Sequence, residues 1–186
     1  VEQWTWEEYL IFFSKGVAST VNVAMSSCGA LDHFRISRNR MLYEFEIWNK
    51  LTAKEMAWIQ ETKHWPSLKD ALNACQPTKK EGGGCSTYKR AAVLFDLIKT
   101  LDSPPHSLED TPAWISWAEE KYLGVGITCN KVDGCKDSIR ANTTCKEFID
   151  GKSGHIIVAV EINKVKQIIT KNGKSAGSKM AFLTVS

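Results

Sequence analysis

The chain has 186 residues, 43 % of them hydrophobic and 24 % charged, with a net charge of +3. That length suffices for one medium domain or two small ones around a real core, and the composition excludes a disordered tail, a collagen-like rod and a low-complexity linker. No run approaches the roughly 18 apolar residues needed to cross a bilayer, so a soluble, cytoplasmic protein with no membrane partner is expected.

Val1 opens the chain without the pattern of a secretory signal, and the missing initiator Met makes a piece of a longer protein the expectation. The first two thirds have the texture of helices. Trp6, Tyr9, Leu10 and Phe13 recur at helical spacing before a stop at Lys15-Gly16. A second apolar segment runs from Val17 to Leu31 and ends in Gly29-Ala30-Leu31-Asp32. Ser37 is placed to cap a third helix with Met41, Phe45 and Trp48 on one stripe. Thr52, followed by Glu55, forms a capping-box pattern ahead of Met56 and Ile59, and Pro66 opens a short helix toward Cys75. Residues 76–84, ending in Gly82-Gly83-Gly84, are without periodicity and predict a loop. Ser86 is the expected cap of the next helix, whose stripe is Ala91, Leu94, Phe95, Ile98 and Leu101. Asp110 and Pro112 start another, through Trp114, Trp117 and Tyr122 to Gly124.

From Gly154 the texture becomes β-branched. His155 to Ile162 predicts a strand, with a phase shift past Asn163 to Val165 of the kind a bulge causes. Asn172 to Gly177 predicts a turn, and Met180 to Val185 a second strand. A lone hairpin is marginal in water, so the sheet is expected to be incomplete, with a boundary near Gly151. The charge is also divided there. Residues 151–186 carry six lysines and one acid (+5), whereas residues 1–150 carry 18 basic and 20 acidic groups (−2). A basic tail on a nearly neutral body points to an anionic partner, nucleic acid first; the competing reading is a solvated lysine-rich hairpin. Lys164, Lys166, Lys171, Lys174 and Lys179, with Phe182, suit the strand-binding face of an OB-fold, where lysines neutralise phosphates and an aromatic ring stacks a base. Core packing is the alternative for Phe182.

Other chemistry finds little footing. Cys129, Cys135 and Cys145 are separated by gaps of five and nine residues, and His33, His64, His106 and His155 are scattered, which does not suit structural zinc. No cysteine is marked as a nucleophile, and reduced thiols are expected over disulfides for all six. Gly82-Gly83-Gly84 lacks the Lys-Ser/Thr pair of a phosphate-binding loop. The acid pairs Glu7-Glu8 and Glu119-Glu120 are adjacent on helices and diverge.

In order, these pieces resemble the C-family replicative DNA polymerases of bacteria and phages, the alpha subunit of DNA polymerase III. Gly29-Ala30-Leu31-Asp32 is similar to the Gly-Ala-Phe-Asp that ends the family's tandem helix-hairpin-helix segment, and Arg38 to Trp48 resembles the Arg-rich amphipathic helix after it. Glu119 to Thr128 resembles the Glu-Lys-x-x-Leu-Gly-x-x-Leu-Ser segment leading into the OB domain. Ile168 to Lys174 with Met180 to Val185 is similar to the Thr-Lys-x-Gly-x-x-Met-Ala-Phe-x-Thr-Leu hairpin of that domain. Cys129-Asn130-Lys131 stands where the family has Gly-His-Pro. Leu94-Phe95 falls near the place of the family's clamp-binding Gln-x-x-Leu-Phe, with Ala91 in place of the Gln, and core packing is the favoured role for both.

The resemblance implies a mainly α chain with a C-terminal β portion: a helical region over 1–75 with a helix-hairpin-helix-like end, a linker and connecting helices over 76–150, and the first strands of an OB-fold over 151–186. It implies a parent DNA-directed DNA polymerase that uses Mg2+, with the catalytic carboxylates outside this chain and no cofactor within it. Single-stranded template is the expected partner of the OB lysines and Phe182, and duplex backbone that of Arg38 and Arg40. The sliding clamp and other replisome subunits complete the implied set. The alternatives are a free-standing single-stranded-DNA-binding or replication accessory protein, an interaction module whose lysines only solubilise, and a thiol or zinc enzyme.

Overall fold

Helix α1 (Trp6–Glu8) starts at a capping box: the Thr5 hydroxyl accepts from Glu8 N at 3.2 Å, and the Glu8 carboxylate accepts from Thr5 N at 2.9 Å. The computed structural model describes residues 4–62, 65–77, 85–171 and 176–185; the Gly82–Gly84 run and Lys174 lie outside them. The expected first stripe is altered because Tyr9–Phe13 forms a wider π turn. Its extra residue rotates the side chains that follow, so Leu10 and Ile11 enter the core while Phe13 is 41 % exposed.

Helix α2 (Ser19–Ser27) ends in a Schellman turn, with Ala30 N donating to Met25 O at 3.0 Å and Gly29 at φ +86°. A Cβ on Gly29 would overlap the Arg38 guanidinium and the Asp32 carboxylate. The Gly-Ala-Leu-Asp run therefore has a local physical role: Gly29 reverses the chain, Leu31 is buried and Asp32 pairs with Arg38.

Helix α3 (Arg38–Trp48) is capped by Ser37 as expected, at 3.3 Å from Arg40 N. A second cap comes from far along the chain, since the Asp110 carboxylate accepts from Arg38 N at 2.7 Å and Asn39 N at 3.0 Å. Asp110 therefore serves α3 and does not start the later helix. Helix α4 (Ala53–Glu61) has the Thr52/Glu55 capping box, and α5 (Leu68–Cys75) is capped by Ser67. Helix α6 (Ala91–Asp102) follows a short 3-10 turn over Tyr88–Arg90, and Ser86 does not cap it. Its hydroxyl donates instead to Glu55 Oε1 at 2.6 Å.

The chain divides into two compact units, Val1–Asp110 and Thr111–Ser186, so the residues expected to form one connecting segment over 76–150 are shared between them. Met41, Phe45, Trp48, Ile59, Leu72 and Leu94 lie in the core of the first unit. Among the described residues, every buried hydrophobic side chain belongs to this unit except Ala118.

In the second unit, Thr111 caps α7 (Pro112–Leu123), with Pro112 at the first helical position and Gly124 closing it at φ +81°. Helix α8 (Cys145–Ile149), with its Thr144/Glu147 capping box, was not expected from the sequence. Strand β1 (Ile162–Ile169) pairs antiparallel with β2 (Lys179–Val185). The first strand lies later than expected: within 155–161 only Val158 bridges, to Thr143. The bulge is present, as a register shift between Ile162 and Lys164. The described chain is thus mainly helical with a small C-terminal antiparallel sheet, and none of its described helices is long and apolar enough to cross a membrane.

Candidate nucleic-acid interface

In an antiparallel pair, directly opposed residues project to the same face and successive residues alternate. The register opposes Lys166 to Phe182, Lys164 to Thr184 and Ile168 to Met180. One face of the hairpin therefore carries Lys164, Lys166 and Phe182 together, with Cβ atoms of opposed pairs about 5 Å apart. The other carries Val165, Gln167, Ile169, Leu183, Ala181 and Lys179, and the bulge brings Ile162 and Val185 onto it as well. Phe182 is 56 % exposed, so it is not a core residue here.

The basic residues named from sequence separate accordingly. Lys164 and Lys166 share the face of Phe182, Lys179 lies on the opposite face, and Lys171 follows Thr170 at the end of the ladder, where Thr170 N donates to Ser178 O at 2.9 Å. Among the described residues, none of these four lysines has a carboxylate partner. Lys152, by contrast, pairs with Glu147 at 3.2 Å, and Lys131 bridges Glu120 and Glu161, each at 2.7 Å.

Arg38 requires a correction. Its guanidinium is buried, donating to Asp32 at 2.7–3.2 Å and to the Ser27 carbonyl at 3.3 Å. It fastens the end of α2 to α3 and is not presented to duplex backbone. Arg40 remains largely exposed while donating to Glu44 at 2.8 Å, and Glu44 also accepts from Trp6 Nε1 at 2.6 Å. The pair Leu94-Phe95 is divided: Leu94 is fully buried, whereas Phe95 is 65 % exposed and leaves the core stripe to which the sequence assigned it.

Glu119 and Glu120 diverge as their adjacency requires. Glu119 is buried, accepting from Ile127 N and from Thr128 N, the latter at 2.7 Å, and from the Thr128 hydroxyl. It holds the segment that follows α7, whereas Glu120 faces Lys131. At Gly126 an added Cβ would lie 2.8 Å from the Cys129 carbonyl oxygen, so only glycine fits that bend. This knot was missed in the sequence because its partners are backbone amides, which no side-chain pattern advertises. The sidedness of the lysines was readable in principle by counting parity outward from the hairpin turn.

All six cysteines are free thiols. Among the described residues no group of three or more His, Cys, Asp or Glu side chains could hold a metal ion. Comparison of the chain with protein-family models, curated proteins and solved structures found no match.

Proposed function

We propose that this chain is a DNA-holding region of a C-family replicative DNA polymerase, in which the lysine–phenylalanine face of the β1–β2 hairpin binds single-stranded template. The observation that carries the reading is the placement of Phe182 directly across from Lys166 and beside Lys164, with no described carboxylate neutralising either lysine. Cations beside an exposed ring are the minimal requirement for gripping a strand through phosphates and a stacked base. The hairpin is read as the opening strands of an OB-fold: two strands exposed on both faces are marginal alone, and a barrel would cover Ile162, Val165, Ile169, Leu183 and Val185.

In this reading the parent is a cytoplasmic DNA-directed DNA polymerase, and this chain contributes template holding. The magnesium ions of such an enzyme do not fit the residues described here. Glu119 is spent on backbone amides and Glu120 faces Lys131, so no step of nucleotidyl transfer is derived through this chain. Arg40 is the residue left for contact with duplex backbone, and exposed Phe95 is the remnant of the clamp-peptide resemblance.

The test is the salt dependence of binding to a labelled single-stranded oligonucleotide. Each phosphate neutralised contributes about 0.7 to the slope of log K against log[salt] on single strands. K164Q/K166Q is expected to flatten the slope by roughly 1.4, whereas K179Q on the opposite face leaves it unchanged. Phe182→Ala is expected to cost about 1–3 kcal/mol of binding at constant slope. An unchanged slope in K164Q/K166Q, or an equal change in K179Q, removes this face from the reading. No binding at low salt favours the interaction module.

A further inference from the structure

The end of α5 and the segment that leads toward α6 bring two thiols into contact. Cys75, the last residue of α5, is fully buried, and its Sγ lies 3.1 Å from Cys85 Sγ. That is about 1 Å beyond the length of a disulfide bond. Cys85 is half-buried against the same core. Both sides of the contact are fixed. Cys75 belongs to a helix, and the residue after Cys85 is held twice: Ser86 N donates to Cys75 O at 3.2 Å, and Ser86 Oγ donates to buried Glu55 at 2.6 Å while lying 3.4 Å from Cys75 Sγ. Glu55 is in turn paired with Arg90 at 3.0 Å. The remaining four cysteines have no such sulfur neighbour among the described residues.

We propose that Cys75 and Cys85 form a redox-active dithiol, which closes to an intramolecular disulfide by exchange with a low-molecular-weight disulfide of the glutathione class. Burial sets the order of events. The half-exposed Cys85 gives its proton to water, and its sulfur attacks one sulfur of the incoming RSSR. That S–S bond breaks, RS− leaves and takes up a proton, and Cys85 carries the mixed disulfide. Cys75 waits as a thiol, its pKa pushed up to about 12 by burial. It loses its proton to water as its sulfur attacks Cys85 Sγ, and the second RS− departs and is protonated. Two protein thiols are oxidised, and one RSSR is reduced to two RSH. In a reducing compartment such a pair serves as a sensor and not as a permanent staple. Once closed, it ties the end of α5 to the entry of α6.

The test uses the full chain, reduced and then equilibrated with oxidised glutathione. Intact mass is expected to fall by two hydrogens, peptide mapping to show a Cys75–Cys85 cross-link, and the other four cysteines to remain alkylatable. Closing a loop of this length is expected to raise Tm by about 5–10 °C, reversibly with dithiothreitol. Cys85→Ser is expected to abolish the cross-link and the rise while leaving the reduced Tm within about 2 °C. Arrest at a glutathione adduct on Cys85, a bridge between any other pair, or an oxidant-induced rise that survives Cys85→Ser would overturn the proposal. Because the peptide map is read on the unaltered chain, it decides the matter even if the variant folds poorly.

Discussion

Glu55 sits almost wholly out of water, and its protonation is set by competition between burial and hydrogen bonding. Burial alone would raise its pKa, but the donors Arg90, Ser86 and Thr52 outweigh it and bring the carboxyl from 4.5 down to about 2. A carboxylate lowered by folding contributes stability that is complete above its unfolded pKa and is lost as pH falls through the folded one. The contribution of Glu55 is therefore intact above about pH 4.5 and disappears toward pH 2. Urea midpoints measured across that window are expected to fall steeply in the native chain. Glu55→Ala, which strands Arg90, is expected to cost about 3–5 kcal/mol at pH 7 and to flatten the acid limb. Half of this arrangement was legible in the sequence, because Thr52 and Glu55 announce a capping box by spacing alone. The other half was not: Ser86 and Arg90 lie more than thirty residues away, and Ser86 looks like a cap until the 3-10 turn at Tyr88–Arg90 displaces the start of α6. Arg38 misled for the same reason. A basic residue in the first turn of a helix carries no mark in sequence of the aspartate and carbonyl that will bury it.

Among the elements, the segment after α7 shows how a short motif acquires its shape. Gly124 ends the helix in the left-handed region, Gly126 clears the Cys129 carbonyl, and Glu119 reaches forward to hold the amides of Ile127 and Thr128. Replacing Glu119 by Ala leaves two amides without their acceptor, at a cost of about 2–4 kcal/mol to the second unit. The expected signature in hydrogen exchange is loss of protection at Ile127 and Thr128, with the amides of α3 and α4 unaffected. Unchanged exchange at those two positions would show that the carboxylate does not hold the segment. For the strands, the apolar alternation marks both members of the hairpin and its bulge, because period-2 patterning is written in the sequence even where both faces of the ladder are exposed. It placed the first strand too early because His155–Val160 has the same β-branched texture without a long ladder partner among the described residues. Composition identifies a segment that suits a strand, whereas pairing decides which segment becomes one. The same limit applies to Phe95, whose stripe position fits the core while its neighbours leave it in solvent.

For the molecule as a whole, helical content, the change to β structure near the C terminus and the basic tail were all legible, because each is a property of averages over many residues. The division between Asp110 and Thr111 was not, since it depends on which helices share a core: α6 joins the first unit through Leu94, Leu97 and Ile98, although α5 ends at Cys75 and α6 begins only at Ala91. Among the described residues, the confinement of buried hydrophobic side chains to the first unit, Ala118 apart, has a calorimetric consequence. The heat-capacity step on unfolding reports newly wetted apolar surface, at about 12–15 cal/mol/K per residue for an ordinary domain. The whole chain is expected to show the step of a protein of roughly 110 residues, about 1.3–1.7 kcal/mol/K, where an evenly cored chain of this length would give about 2.2–2.8. A step at the larger value would mean that the second unit has a core of its own. Any ligand or strand that covers the aliphatic face of the hairpin would then register as an increment in this step, measurable before its identity is known.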